Sequence, residues 1–305
     1  MRTASTLEID HTEVSVSNLD KVLYPTGGFT KGQVIDYYIH IAPCLLPHLA
    51  KRPITLKRYP DGVEGAFFYE RQCPSHRPAW VRTASAAKQE GGEIQYCVID
   101  TLPALVWAAN LADIELHTFL HRAPRMNEPT MVAFDLDPGP PADIVLCAKV
   151  ALKLKSLMDG LQLECFAKTS GSKGMQVYVP LNTRVTYDQT KTFARLVAEA
   201  LEKHLPDKVV SKMNKNIRSG KVLVDWSQND SHKTTISVYS LRAKEFPTVS
   251  MPVTWEEVDA ASRRKSPGTL RFEAGSALNR ADKLGDLFQP VLSLKQKLPG
   301  LDRLQ

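Results

Sequence analysis

Met131-Val132-Ala133-Phe134-Asp135-Leu136-Asp137-Pro138 is an apolar run that ends in two acids, and Pro138-Gly139-Pro140-Pro141 stops it. A short apolar run before such a stop predicts a β-strand. In a strand, residues i and i+2 face the same side, roughly 6.5–7 Å apart. Asp135 and Asp137 therefore share a face, where they repel unless solvated, protonated or bridged by a cation. Hard oxygen ligands of this kind suit Mg²⁺ or Mn²⁺. A strand end turning into water explains the pair equally well.

Beyond the stop, Asp143 falls in the first turn of a long helix that ends near Asp159-Gly160, where its carboxylate suits the positive helix end. Strands near 164–167 and 175–179 flank a Ser/Gly/Lys turn, a helix covers 187–204, and strands follow at 222–225 and 235–239. Upstream, a helix is expected over 31–49, strands over 54–58 and 94–99, and a helix over 103–111. Ile114-Glu115-Leu116-His117 alternates as a strand does. Antiparallel hairpins with intervening helices give an α+β fold, mixed and largely antiparallel, rather than strict βαβ alternation. With no linker or repeat, the expectation is a single domain over 1–305. It comprises an N-terminal lobe about 1–110, an acidic core about 111–245 and a helical C-terminal segment about 254–305.

The 305 residues are 43% hydrophobic and 24% charged, ordinary for a globular protein with a real core. The net charge of +6 mildly favours a polyanionic partner. Five dispersed cysteines (Cys44, Cys73, Cys97, Cys147, Cys165) without a C-x-x-C pair read as reduced thiols of a cytoplasmic, nucleoid-associated protein. Cys73 and His76 have ligand-like spacing, but no matching second pair makes zinc of them, and a turn is expected there. The longest uncharged apolar stretch, 101–112, is well short of the ~20 residues a membrane span needs, so no membrane partner is expected.

A third acid interrupts an apolar strand at Val222-Leu223-Val224-Asp225-Trp226. Two strands ending in acid suit a two-cation phosphoryl-transfer site; a strand-end Asp turned to water is the plainer reading. Lys168-Thr169-Ser170-Gly171-Ser172-Lys173-Gly174 places small residues where backbone N–H groups could approach phosphate oxygens, with Lys173 as a point charge. Its glycine spacing is not that of a Walker loop, and a hairpin turn accounts for it as well.

Taken together, these motifs resemble the polymerase domain of bacterial end-joining DNA ligases, within the archaeo-eukaryotic primase superfamily. The resemblance is carried by Asp135-Leu136-Asp137-Pro138-Gly139-Pro140, Thr169-Ser170-Gly171-Ser172-Lys173-Gly174, Asp225-Trp226-Ser227-Gln228-Asn229 and Tyr239-Ser240-Leu241-Arg242-Ala243. It extends upstream through Asn18-Leu19-Asp20-Lys21, Arg58-Tyr59-Pro60-Asp61-Gly62 and Glu115-Leu116-His117, and downstream to Pro252-Val253-Thr254-Trp255. It covers nearly the whole chain in order.

The resemblance implies that Asp135, Asp137 and Asp225 hold two ions, Mn²⁺ or Mg²⁺, and carry catalysis. Ser170, Lys173 and Arg242 would hold the triphosphate of an NTP or dNTP, with Arg218 and Gln228 flanking the third acid. His117 would lie near the sugar of the nucleotide. Asn18, Lys21, Lys31 and Lys57 match a pocket for the 5′-phosphate of a downstream DNA strand, and Phe67-Phe68 an aromatic pair that stacks on template bases. The chain departs from the family at Gln176, where a histidine is usual; an amide can hydrogen-bond phosphate but cannot become cationic.

The function implied is a template-dependent nucleotidyltransferase of DNA repair that fills short gaps bearing a downstream 5′-phosphate and prefers ribonucleotides. With no ligase or nuclease segment recognised, a stand-alone form is expected, acting beside a separate ATP-dependent DNA ligase and an end-binding protein. A non-catalytic module that bridges DNA ends and recruits a ligase is the alternative. A metal phosphoesterase or nuclease is a third class, against which the lack of a second His/Asp cluster tells.

Overall fold

The computed structural model describes residues 4–87, 91–264 and 267–300, which fall into two compact units, each assembled from separated stretches of chain. The α+β expectation holds: two six-stranded sheets, largely antiparallel, carry helices against them.

One unit comprises residues 125–233, 251–271 and 287–305. Its sheet runs in the order Val209–Val210, Val222–Asp225, Met131–Pro138, Met175–Pro180, Phe166–Thr169, Pro252–Val253. Every neighbouring pair for which register is resolved is antiparallel except Val209–Val210 with Val222–Asp225. Met131–Pro138 is central, and its first four residues are buried on both faces, which is why they read as an unbroken apolar run. Helices Ile144–Gly160 and Tyr187–His204 bury Cys147, Ala151, Leu154 and Met158, and Phe193, Ala194, Val197 and Leu201 respectively. Thr186 and Gln189 close a capping box on the second helix. On the first, Asp143 lies one residue before the helix rather than in its first turn. As the N-cap it accepts from the Val145 and Leu146 N–H groups at 2.9 and 3.4 Å. A cap of this kind contributes about 1 kcal/mol.

The other unit comprises residues 1–124, 234–250 and 272–286. Its sheet runs Thr235–Ile236, Asp113–Thr118, Pro53–Arg58, Glu93–Val98, Arg82–Ala87, with Phe68–Glu70 also paired on Pro53–Arg58. The strand expected over 235–239 stops at Ile236, because Tyr239 adopts a left-handed φ of 62°. Helix Lys31–Leu49 begins at a Thr30/Gln33 capping box and buries Tyr37 and Tyr38. The two hydroxyls donate to the Tyr239 and Ile114 carbonyls at 2.8 and 2.6 Å, so both rings are packed without an orphaned polar atom.

The cysteines do not all stay reduced. Cys73 and Cys97 are joined as a disulfide, with Cα atoms 4.9 Å apart, and Cys44, Cys147 and Cys165 are free. Cys97 sits in strand Glu93–Val98, and the Cys73 N–H donates to the Gln95 carbonyl at 2.6 Å, so the tertiary fold brings the pair together across 24 positions. Among the described residues no helix is long and apolar enough to cross a membrane.

Candidate active site

Strand register assembles the acidic group. Asp135 pairs with Asp225 on one neighbouring strand and with Gln176 on the other, and Gln176 pairs with Lys168 one strand further. Directly opposed residues point to the same face. Asp225, Asp135, Gln176 and Lys168 therefore form one row across four strands, with Asp137 two residues along from Asp135 on that face. Burial, then the Asp137 and Asp225 charges, push the Asp135 carboxyl up to about 7; the Gln176 hydrogen bond and the Lys168 charge oppose this.

The surroundings fix each member. Asp225 accepts from the Ser227 N–H and hydroxyl at 2.8 and 2.6 Å and from the Gln228 amide at 3.0 Å. The Asn229 side chain clips onto Ala133, accepting from its N–H at 2.9 Å and donating to its carbonyl at 2.8 Å, which ties the turn after Asp225 to the strand of Asp135. Gln176 is buried and accepts from the Tyr178 hydroxyl at 3.0 Å. Gln176, the departure marked by the resemblance, thus sits within the row. Lys168, 1% exposed, ends the acidic row, a place that its position at the head of the Lys168–Gly174 loop does not reveal in the sequence.

Three carboxylates on one face, with Lys168 in the row, are hard-oxygen donors of the chemical kind that suits a divalent cation. As the side chains stand, no group of three or more His, Cys, Asp or Glu among the described residues could hold a metal ion, and Asp225 is turned onto Ser227 and Gln228.

The loop after Phe166–Thr169 is a tight hairpin. The Ser170 N–H donates to the Gly174 carbonyl at 2.9 Å, and its hydroxyl accepts from the Ser172 and Gly174 N–H groups, both at 3.2 Å. A Cβ on Gly174 would overlap the Leu136 carbonyl, so glycine alone lets this loop lie against the acidic strand. Lys173 is exposed at its tip. A Cβ on Gly139 would likewise strike the Arg218 carbonyl; Arg218 donates to the Met213 carbonyl at 2.6 Å.

The remaining candidates belong to the other unit. His117 Nε2 lies 3.0 Å from Glu115, Lys57 Nζ 3.0 Å, and Arg242 Nε 3.2 Å. Burial, above all, holds His117 below its ordinary range. Lys57 Nζ also stands over the rings of Phe67, Tyr59 and Tyr69 at 4.6, 5.2 and 5.5 Å. Phe67 and Phe68 are both exposed, 51% and 44%, so neither is core, and Tyr69 beside them is 56% exposed. Sequence reading took His117 from its motif and missed Glu115, although the two alternate onto one face. Lys21 and Lys31 flank the hairpin Val22–Tyr24 with Phe29–Thr30, where the Lys31 N–H donates to the Lys21 carbonyl at 2.8 Å. Lys31 is buried, donates to the Ser17 carbonyl at 2.7 Å, and is lowered to about 8 by burial and then by the Lys21 and Arg58 charges. Lys21 pairs with Asp61 at 3.1 Å. Asn18 holds the preceding turn with φ 53°, its carbonyl accepting from the Lys21 N–H at 3.0 Å.

Residues 30–288 match the family model described as LigD, primase-polymerase domain. The multifunctional non-homologous end joining protein LigD of Mycolicibacterium smegmatis is 41% identical over 280 residues, 91% of this chain and 36% of that protein. The bifunctional non-homologous end joining protein LigD of Bacillus subtilis is 30% identical over 252 residues, 82% of this chain and 40% of that protein. The chain thus spans well under half the length of these relatives. Among solved structures, the polymerase domain from Mycobacterium tuberculosis Ligase D in complex with DNA superimposes with a TM-score of 0.86 at 38% identity, covering 93% of this chain and 99% of that one. A family model matched over residues 30–288, with a relative 41% identical over 91% of the chain, identifies the protein as a member of the LigD primase-polymerase domain family.

Proposed function

We propose that this chain is a template-dependent nucleotidyltransferase of DNA end joining, extending a primer 3′ end across short gaps that carry a downstream 5′-phosphate and preferring ribonucleotides. The observation that carries the reading is the register of Asp135 against Asp225, with Asp137 on the same face. Asp135, Asp137 and Asp225 would hold two divalent cations, Mn²⁺ or Mg²⁺, which supply charge stabilisation for the attacking and leaving oxygens when bound. The Ser170–Gly174 turn is suited to the triphosphate: its hydroxyl and backbone groups are organised and Lys173 adds charge at the tip. Gln176 hydrogen-bonds Asp135 and orients that carboxylate rather than adding positive charge.

DNA binding is supported by the relative solved with DNA, by the exposed Phe67-Phe68-Tyr69 surface and by the Lys21–Lys31 hairpin. Exposed aromatics stack on bases with little regard to sequence, and lysines follow phosphate. The end-joining names of the relatives support a repair setting; a cytoplasmic place on nucleoid DNA, beside an ATP-dependent ligase and an end-binding protein, completes the proposal.

The decisive test is extension of a labelled primer on gapped DNA with Mn²⁺, comparing rNTP with dNTP and 5′-phosphate with 5′-hydroxyl gaps. Template-directed addition is expected, fastest with rNTP on the phosphorylated gap. End binding without extension would leave a bridging module that recruits a ligase, and end trimming without nucleotide would point to a phosphoesterase.

A further inference from the structure

Glu115 has a side chain 1% exposed, with four groups around its carboxylate. One oxygen meets the His117 Nε2 and Lys57 Nζ at 3.0 Å each; the other meets the Arg242 Nε at 3.2 Å and accepts from the Ala243 N–H at 3.0 Å. Three hydrogen bonds, from His117, Lys57 and the Ala243 N–H, and the Arg242 ion pair converge on this one carboxylate. Burial alone would raise the Glu115 carboxyl, but the His117 hydrogen bond and the Arg242, His117 and Lys57 charges hold it well below the usual carboxylate range. It is an ionised acceptor with no proton to give.

We propose that Glu115 is the positioning residue for the nucleotide contacts of its unit, fixing the His117 ring and the Arg242 guanidinium through one buried carboxylate that also holds the Lys57 ammonium. The proposal rests on the polymerase reading above. Glu115 is buried behind its three basic neighbours, so its action runs through them. Because it can only accept, His117 must donate from Nε2, and the neutral ring then presents Nδ1 as an acceptor. An acceptor suits a sugar hydroxyl and not a phosphate oxygen, so the carboxylate decides what His117 can recognise. The Ala243 N–H contact ties strand Leu241–Ala243, which carries Arg242, to strand Asp113–Thr118, which carries His117. Without the charge at Glu115, the Lys57 ammonium and the Arg242 guanidinium would repel each other with nothing between them.

The test compares Glu115→Gln and Glu115→Asp with His117→Ala and Arg242→Ala. Steady-state single-nucleotide extension gives KM and kcat, and long-range ¹H–¹⁵N NMR reads the His117 tautomer in the folded protein. Glu115→Gln is expected to raise the nucleotide KM about tenfold or more, with a smaller change in kcat, and to turn the single Nε2–H tautomer of His117 into a mixture. Glu115→Asp, which keeps the charge but loses a methylene of reach, should fall between Gln and wild type. If Glu115→Gln fails to fold, the Asp variant carries the same KM and tautomer readouts. If His117→Ala and Arg242→Ala raise KM while the Glu115 variants keep wild-type KM and a single tautomer, the positioning role is overturned. Should His117→Ala and Arg242→Ala themselves leave KM unchanged, the polymerase reading of this unit falls, and the proposal falls with it.

Discussion

Asp135 and Asp225 stand directly opposite each other on neighbouring antiparallel strands, so both carboxylates leave the sheet on one face. With Asp137 beside them, this is an electrostatically uncomfortable arrangement, seen in the upward push on Asp135 to about 7. Folding tolerates such crowding where a cation is to be received.

Asp135→Asn should therefore raise Tm by at least about 2 °C in divalent-free buffer, since it removes like-charge repulsion. Mn²⁺ should stabilise the wild type, by about 2.7 kcal/mol at a hundredfold excess over its dissociation constant, and the variant much less. Asp135→Ala and Asp225→Ala should abolish primer extension while DNA binding survives, because binding draws on lysines and aromatics. Differential scanning fluorimetry with and without Mn²⁺, beside an extension assay, checks both. Near-normal extension by either alanine variant would remove the metal assignment.

The Ser170–Gly174 turn makes two separable predictions of one loop. Lys173→Ala, at the exposed tip, should raise the nucleotide KM about tenfold or more with little change in DNA affinity, since a hydrogen bond to a charged group is worth about 1.5–3 kcal/mol. Gly174→Ala should cost at least about 1–3 kcal/mol of stability by driving a methyl into the Leu136 carbonyl. Kinetics and urea denaturation read the two. Equal loss of DNA affinity with unchanged KM in Lys173→Ala would make the loop a DNA contact instead.

At the aromatic surface, Phe67, Phe68 and Tyr69 are all exposed, yet their partners differ. Phe67 closes over Lys57, while Phe68 lies 5.1 Å from the Arg58 guanidinium. Alanine at either phenylalanine should weaken binding to single-stranded template by about 1–3 kcal/mol if it stacks on a base. Phe67→Ala should in addition raise the nucleotide KM, because Lys57 shares Glu115 with His117. Fluorescence anisotropy on template strands, with single-nucleotide kinetics, tests this; unchanged affinity in both variants would leave the surface to some other partner.

The Cys73–Cys97 bond closes a loop of 24 positions, for which chain entropy gives about 3–3.5 kcal/mol. Dithiothreitol should lower the denaturation free energy by that order, and Cys73→Ser should match it without further response to reductant. Alkylation with mass spectrometry should find half-buried Cys44 reactive before reduction, and Cys73 and Cys97 only after it. Labelling of Cys73 without reductant would show the pair to be thiols.

Much of this fold was legible because local signals agreed with their tertiary setting. Helices Lys31–Leu49 and Tyr187–His204 begin at threonine caps, and strand Val222–Asp225 is apolar until its acid. The acidic pair at 135 and 137 follows from the two-residue period of a strand. Its opposition to Asp225 does not, since register between strands some ninety residues apart is set by packing rather than by either segment. Glu115 was hidden for the same reason: its partners come from three strands, and only His117 lies within its own motif. Cys73 and Cys97 share no spacing pattern, and a unit built from three separated stretches leaves no break in composition to read.

The proposed gap recognition would draw on the hairpin that brings Lys21 and Lys31 together. The Lys31 N–H donates to the Lys21 carbonyl, and the two ammonium groups stand near enough that Lys21 helps to hold Lys31 at about 8. Burial is the larger cause, followed by Lys21 and then Arg58. A terminal 5′-phosphate, with a second pKa near 6, is a dianion from pH 7 upward and carries more charge than an internal diester. Wild type should therefore bind a gap with a 5′-phosphate at least about tenfold more tightly than one with a 5′-hydroxyl at pH 7, roughly 1.4 kcal/mol. The sign of the pH dependence is fixed by Lys31. Its folded pKa is depressed, so it is cationic below about 8 and loses its charge above, while the phosphate does not change. The preference should shrink between pH 7 and 9, with a midpoint somewhat above 8 because the bound dianion draws the lysine pKa upward. Lys21→Ala combined with Lys31→Ala should erase the preference and leave the weaker, salt-sensitive backbone binding in place. Anisotropy titrations of both gaps at one salt concentration and three pH values measure all of this. Equal affinities at pH 7 would reject the pocket, and a preference that grows toward pH 9 would take Lys31 out of it.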